Sequence, residues 1–297
     1  MIKLPVILDV DTGIDDAAAI VLACAQKNLD VQLITCCFGN CSQSMVATNT
    51  LTVLEVMGKQ IPVAKGAEKS LNNVLGTIRA HGINGLGGYS KPLHTKPVDK
   101  LAVDAMHEVI SKNDLTYIIA VGPYTNIADY IKKYPNDKNK FKLIAVTGDN
   151  EIDENNPYLN FNIYIDLDSF KYVLNNITGI VFCTSNMGHK SYIPSYDFVK
   201  SAQCSEVGKF LSMLYPSHKD RTVKNGAALH DACGVAWLSH PNMFKIQYAY
   251  ASFKIAPNGE EYLDFNFNCK DRNCVVTTDI SVKKFHKWYY KSLKNFK

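Results

Sequence analysis

The sequence has no C-x-x-C pair and no Cys/His set at zinc spacing, so no zinc module is written in its local pattern. Its nine cysteines are odd in number, and Cys24, Cys36, Cys37 and Cys183 sit inside apolar segments, which suits small buried thiols in a reducing compartment. Cys269 and Cys274 bracket Lys-Asp-Arg-Asn and read as two free thiols on a hairpin. No apolar stretch approaches a membrane span, and the start Met1-Ile-Lys-Leu-Pro5 has no long apolar signal core, so a cytosolic protein with no membrane partner is expected. Charge of one sign is also missing. The 32 Lys+Arg against 28 Asp+Glu leave +4, spread out with short runs at Lys132-Lys133 and Lys283-Lys284, which excludes a nucleic-acid footprint. Internal repeats, low-complexity segments and linkers are absent. What is present is 297 residues, 46% of them hydrophobic, enough for a large core and read as one α/β domain over residues 1–297.

The densest chemistry lies in Ile7 to Asp16, where Asp9, Asp11, Asp15 and Asp16 put four carboxylates into eight positions between two apolar runs. Leu4 to Val10 reads as a buried strand and Ala17 to Ala25 as a helix, which puts the aspartates on a strand-to-helix turn. Strand alternation gives Asp9 and Asp11 one face. Thr12-Gly13 turns the chain, and Asp15 and Asp16 fall in the first helical turn, where the helix dipole tolerates negative charge. Four carboxylates this close repel one another unless a cation lies between them, and a hard, oxygen-binding ion such as Ca2+ or Mg2+ fits. The plainer alternative is an acidic helix cap with Asp15 as N-cap, which needs fewer carboxylates than are present.

Strand-like Val31 to Phe38, helical Gln43 to Met57 and strand-like Ile61 to Ala64 follow, an alternation that predicts right-handed βαβ units and a largely parallel sheet. Ligands of such sheets lie beyond the carboxyl ends of the strands, where the aspartate turn and Gly39-Asn40 both fall. Residues 66–98 read as a long functional loop with the core His81-Gly-Ile-Asn-Gly-Leu-Gly-Gly88, which matches neither phosphate-loop pattern. Helix Val98 to Ser111, strand Leu115 to Val121 and helix Asn126 to Tyr134 come next, then strand Phe141 to Thr147. A polar loop from Gly148 ends at Asn160-Phe161-Asn162, two amides flanking one ring, a pattern that suits a polyol beside an apolar wall or a turn using Asn for left-handed geometry. After helix Asp168 to Asn175, strand Gly179 to Ser185, helix Ser201 to Leu214 and a polar loop to Gly226, His230 and Asp231 open another helix. Strands at Ile246 to Ile255, Tyr262 to Phe267 and Val275 to Ile280, read as antiparallel, precede a closing helix from Val282 to Lys294.

Asp9-Val-Asp-Thr-Gly-Ile-Asp-Asp16 resembles the D-x-D-x-x-x-D-D signature of the nucleoside hydrolases, the calcium-dependent N-ribohydrolases of inosine-uridine preferring type. Gly39-Asn40, the His81 to Gly88 core, Gly122-Pro-x-Thr-Asn126 and His230-Asp231 match in the same order, so the resemblance covers essentially the whole chain. It implies an open, mostly parallel sheet flanked by helices, with the site at the strand ends, and hydrolysis of a small ribonucleoside to free base and ribose in a homodimer or homotetramer. It makes Asp11, Asp16 and Asp231, with the Val121 carbonyl, the ligands of Ca2+, and Asp11 also the base that takes a proton from the attacking water. Asp15 and Asn162 would hold ribose hydroxyls beside Asn40, with Asn160 and Phe161 in the same sugar-binding stretch. His81 would line the base pocket and His230 would protonate the departing base. One departure stands out: Asn160 occupies the place of an expected Glu, which points to altered handling of the 5′ end or to a protein that binds nucleoside and Ca2+ without turnover. Asp9-x-Asp11 with Gly148-Asp149-x-x-x-Asp153 also resembles a haloacid-dehalogenase-type phosphatase with Asp9 as nucleophile, a reading that leaves Asp15, Asp16 and His230-Asp231 unexplained.

Overall fold

The computed structural model describes residues 3–72, 79–152, 157, 159–220 and 222–296; Asp153, the distal acid of the phosphatase reading, lies outside them. The chain runs β1 (Leu4–Val10), α1 (Ile14–Ala25), β2 (Leu29–Cys36), α2 (Gln43–Val56), β3 (Val63–Lys65), α3 (Ala102–Lys112), β4 (Thr116–Ala120) and α4 (Thr125–Lys133). It continues through β5 (Phe141–Val146), α5 (Phe161–Tyr164), α6 (Leu167–Asn176), β6 (Ile180–Cys183), α7 (Ser185–Lys190), β7 (Ile193–Pro194), α8 (Phe198–Ala202) and α9 (Glu206–Leu214). It closes with β8 (Gly226–Ala227), α10 (His230–Ser239), β9 (Phe244–Ile255), β10 (Glu261–Asn266), β11 (Cys274–Ile280) and α11 (Val282–Leu293).

Nine strands form one sheet in the order β10-β9-β11-β6-β5-β4-β1-β2-β3. All pairings from β3 to β11 are parallel, whereas β9 runs antiparallel to both β10 and β11. The expected α/β architecture is therefore present, and the carboxy-terminal strands extend it. From β1 the chain builds outward through β2 and β3 on one side and later through β4, β5 and β6 on the other. That reversal opens a crevice beyond the carboxyl ends of β1 and β4.

Alternation along β1 sorts the core into two layers. Val6, Leu8 and Val10 pack with residues of α1, α2, α9, α10 and α11, and Ile7 packs with residues of α3, α4 and α6. Among the described residues no helix is long and apolar enough to cross a membrane.

Several boundaries depart from the sequence pattern. The helix expected from Val98 starts at Ala102, because Val98 donates its N–H to the Val63 carbonyl (2.8 Å) as an isolated parallel bridge beside β3. The helix expected over Ser201 to Leu214 is two, α8 and α9, separated where Ser205 caps α9 by accepting from the Gly208 N–H (3.1 Å). Asn160 is not a left-handed turn residue: at φ −53° and ψ 144° it is the N-cap of α5, accepting from the Asn162 N–H (3.1 Å).

Candidate active site

The aspartate turn is held by its own backbone. Gly13, not Asp15, is the N-cap of α1, and Asp16 reaches back so that its Oδ2 accepts from the Gly13 N–H (2.8 Å) and its Oδ1 from the Asp11 N–H (3.2 Å). Asn40, just past β2, donates its backbone N–H to Asp11 Oδ2 (2.8 Å) and its amide to Asp16 Oδ2 (3.2 Å). Space is tight here. A Cβ at Gly39, where φ is +153°, would lie 2.1 Å from Asp11 Oδ2, and one at Gly13 would lie 2.8 Å from the Asn40 amide and the His81 ring.

The two aspartates of β1 have different surroundings. Asp9 follows Ile7 toward the α3/α4 layer, is fully buried, and accepts from Thr35 Oγ1 and from Asn126 Nδ2 (2.8 Å). Asn126 in turn accepts the Ala67 N–H (2.8 Å), so this pair ties α4 to the start of the long loop. Asp11 lies one residue past the strand, where alternation no longer binds it, and lines a cavity of about 930 Å³. Asp9 does not line that cavity, which leaves the phosphatase reading without an accessible nucleophile.

Of the residues singled out from the sequence, Asp11, Asp15, Asn40, His81, Val121, Asn160, Phe161, Asn162, His230 and Asp231 line this one cavity, with Asp16 buried behind them. Oxygens of Asp15, Asp16 and Asp231 come within 4.8 Å of one another, a group able to hold a metal ion. Burial first, and then the neighbouring carboxylates, pushes Asp11, Asp16 and Asp231 above the ordinary carboxylate range. Asp15 Oδ1 is buried without a hydrogen-bond partner. An oxygen-binding cation would relieve both costs, so the donor set fits a metal. The Val121 carbonyl accepts from Asn162 Nδ2, which joins two residues expected to act apart.

Imidazoles line the cavity beside the carboxylates, with ring nitrogens of His81 and His218 and an oxygen of Asp15 all within 4.8 Å of one another. His81 is fully sheltered, and its Nδ1 accepts from the Ile14 N–H (3.2 Å), which leaves the proton on Nε2. Burial drives its pKa down to about 4, so the 3.6 Å approach to Asp15 is not a charged pair at neutral pH. His218 stacks on His81 with ring centroids 5.0 Å apart. The glycine-rich loop around them is built by asparagines rather than shaped for phosphate. Asn84 accepts from Leu86 and Gly88 (3.1 and 2.8 Å), while Asn49 donates to the carbonyls of Asn84 and Thr12 (2.8 and 3.0 Å).

His230, first residue of α10, places Nε2 3.1 Å from Asp220 Oδ2 and packs Nδ1 against Gly188, where a Cβ would approach to 2.2 Å. His189 Nε2 lies 3.7 Å from the same oxygen. Burial raises the Asp220 pKa, but its hydrogen bonds to His189 and His230 outweigh that and hold it well below the usual range. Asn160 donates its amide to Ser185 Oγ (3.3 Å). The sequence reading missed Ser185, His189, His218 and Asp220. The signal available for the first two was position, just after the carboxyl end of β6.

The family model described as inosine-uridine preferring nucleoside hydrolase matches residues 6–287. A non-specific ribonucleoside hydrolase of Klebsiella pneumoniae subsp. pneumoniae is 30% identical over 295 residues, covering 96% of this chain and 97% of the relative. Another of the same name, from Escherichia coli (strain SMS-3-5), is 29% identical over the same shares. Among solved structures, a plant nucleoside hydrolase superposes with a TM-score of 0.90 at 25% identity, covering 98% of this chain and 99% of that one. A purine-preferring ribonucleoside hydrolase from Gardnerella vaginalis shares the fold with a TM-score of 0.90 at 22% identity, covering 98% of each chain. On the strength of a match running through nearly its whole length, the chain belongs to the inosine-uridine preferring nucleoside hydrolase family.

Proposed function

We propose that this chain hydrolyses the N-glycosidic bond of ribonucleosides, releasing free base and ribose, and that Asp11, Asp16, Asp231 and the Val121 carbonyl hold Ca2+. The observation that carries the reading is that Asp11, Asp15 and Asp231, with Asp16 buried behind them, and the imidazoles of His81, His218 and His230 meet at one cavity at the strand ends. It is supported by the family relationship and by the non-specific ribonucleoside hydrolases that align end to end with it. The proposal takes in a cytosolic homodimer or homotetramer.

When bound, a cation of this kind binds a water molecule and lowers its pKa. Asp11 accepts the proton that the attacking water gives up, with its carboxylate fixed by the Asn40 N–H. The water oxygen bonds to C1′ on one face while the C1′–N bond breaks on the other, its electron pair leaving with the base. An oxocarbenium-like sugar lies between, and the surrounding carboxylates stabilise its charge. Asp15 and Asn162 hold ribose hydroxyls beside Asn40, and Phe161 backs the sugar. His230 lends its Nε2 proton to the leaving base, for which it must exchange Asp220 for the substrate. Asn160 offers an amide where a carboxylate would accept a 5′-hydroxyl, so the 5′ end is held more weakly.

Free-base release from purine and pyrimidine ribonucleosides, their 2′-deoxy forms and 5′-monophosphates, with and without a calcium chelator, tests the proposal. Release from ribonucleosides that is lost on chelation is expected. Binding of Ca2+ and nucleoside with no release would replace it by the binding-protein reading.

A further inference from the structure

We propose that His189, Asp220 and His230 form a second cation site, for a borderline transition-metal ion of the zinc class, whose occupation silences the enzyme. The inhibitory half rests on the reading above that His230 serves the leaving base.

Three separate segments bring the ligands together: the end of α7, the loop before β8 and the start of α10. His230 Nε2 and His189 Nε2 stand 3.1 and 3.7 Å from Asp220 Oδ2, and all three atoms lie within 4.8 Å of one another. A tetrahedral Zn2+ with bonds of roughly 2.0–2.2 Å sets its ligand atoms about 3.3–3.5 Å apart. Small side-chain shifts therefore suffice. The two imidazoles meet edge to face at 4.8 Å and 85° and are not stacked, and each has its Nε2 beside the same Asp220 oxygen.

Asp220 is prepared independently of the histidines. Its Oδ1 accepts from the Thr222 and Val223 N–H groups (2.7 and 2.8 Å), which fixes the carboxylate and leaves Oδ2 to the two histidines. Two nitrogens and one oxygen make a softer set than the all-oxygen ligands proposed for Ca2+, Asp11, Asp16, Asp231 and the Val121 carbonyl, so Zn2+ favours the first set and Ca2+ the second. Three protein ligands leave a fourth position open to water or another small ligand. His230 Nδ1 is buried with no partner, and a ligand histidine lacking such support binds metal about 10–100-fold less tightly. The site is thus suited to reversible occupation. A metal on Nε2 takes the ring nitrogen that faces the cavity, and the base loses its proton donor.

The test uses the full chain loaded with Ca2+ and then titrated with Co2+ as a spectroscopic probe and with Zn2+ as a competitor. A visible tetrahedral Co2+ band that Zn2+ displaces at one equivalent is expected. It should vanish in His189→Ala and in Asp220→Asn, the latter keeping an oxygen for Thr222 and Val223. Zn2+ should inhibit base release, with an inhibitory concentration raised at least tenfold in each variant relative to its own zinc-free rate. Absence of the band, its persistence in both variants, or relief of inhibition by excess Ca2+ would overturn the proposal, the last by placing Zn2+ among the aspartates. A band that follows the variants in a protein releasing no base would keep the site and discard the hydrolase reading. Normal turnover without a band would do the reverse.

Discussion

The floor and the rim of the cavity are built on different principles. The floor consists of Asp11, Asp15 and Asp231 with Asp16 buried behind them, placed by the end of β1 and the first turns of α1 and α10, with Asp11 and Asp16 further fixed by backbone N–H groups. The rim consists of His81, His189, His218, Asp220 and His230, drawn mostly from loops and short helices, in contact with one another and anchored on the backbone N–H groups of Ile14, Thr222 and Val223. A floor fixed by the sheet suits chemistry common to every ribonucleoside, the sugar and the attacking water. A rim carried by loops outside the sheet can change its base preference without disturbing that chemistry.

The largest effect that separates the two regions is expected at Asp11. Asp11→Ala should lower turnover by about 10³-fold or more for every base, since it removes a proton acceptor and a cation ligand together. Activity near the unsubstituted level would place the chemistry elsewhere. His230→Ala should instead discriminate, costing on the order of 10²-fold with poor leaving bases and less with good ones. Equal losses across a leaving-group series would remove the rim from the proton transfer and leave the floor standing.

A smaller effect concerns pH. In the chelated protein the raised carboxylates of Asp11, Asp16 and Asp231 keep protons that the unfolded chain has already shed. Unfolding then releases protons, so stability falls as pH rises toward and through their folded values, about 7 for Asp16. His81, depressed to about 4, has the opposite sign, but its gain tails off as pH passes through the ordinary histidine value of 6.5. From pH 6.5 upward the chelated protein should lose about 2 °C of melting temperature per pH unit, and the Ca2+-loaded protein should stay flat. Parallel profiles would mean that the floor holds no cation. The smallest expected change is at the border of the two regions. Asn160→Glu should lower KM for unmodified ribonucleosides by a few fold with little effect on kcat, and an unchanged KM would free Asn160 from any part in holding the sugar.

The same division decides what could be read from the sequence. Asp11, Asp15 and Asp16 are close in sequence because one strand end and one helix start supply them, and the strand–helix alternation alone places them at the mouth of a parallel sheet. Asn160 and Phe161 were legible as a pair, although the role of Asn160 as a helix cap was not. His189, His218 and Asp220 come from segments whose separations carry no period, and an ordinary polar loop has the same composition. A search by spacing finds zinc ligands only where they are close in sequence, and His189, Asp220 and His230 are not. Asp9 shows the converse. It belongs to the most informative motif in the chain, yet strand alternation turns it to Asn126 and Thr35, where it ties the scaffold together.

Gly39 has a consequence for any attempt to evolve this pocket. Because a single methyl there would occupy the place of an Asp11 oxygen, and Gly13 is hemmed in by Asn40 and His81, a saturation library should find these two positions closed to nearly every substitution. Positions such as Thr222 or Lys219, on the loop that lines the mouth, should accept many. Heritable variation is thereby channelled to one side of the substrate, and new base preferences can be sampled step by step while the ribose end is inherited intact.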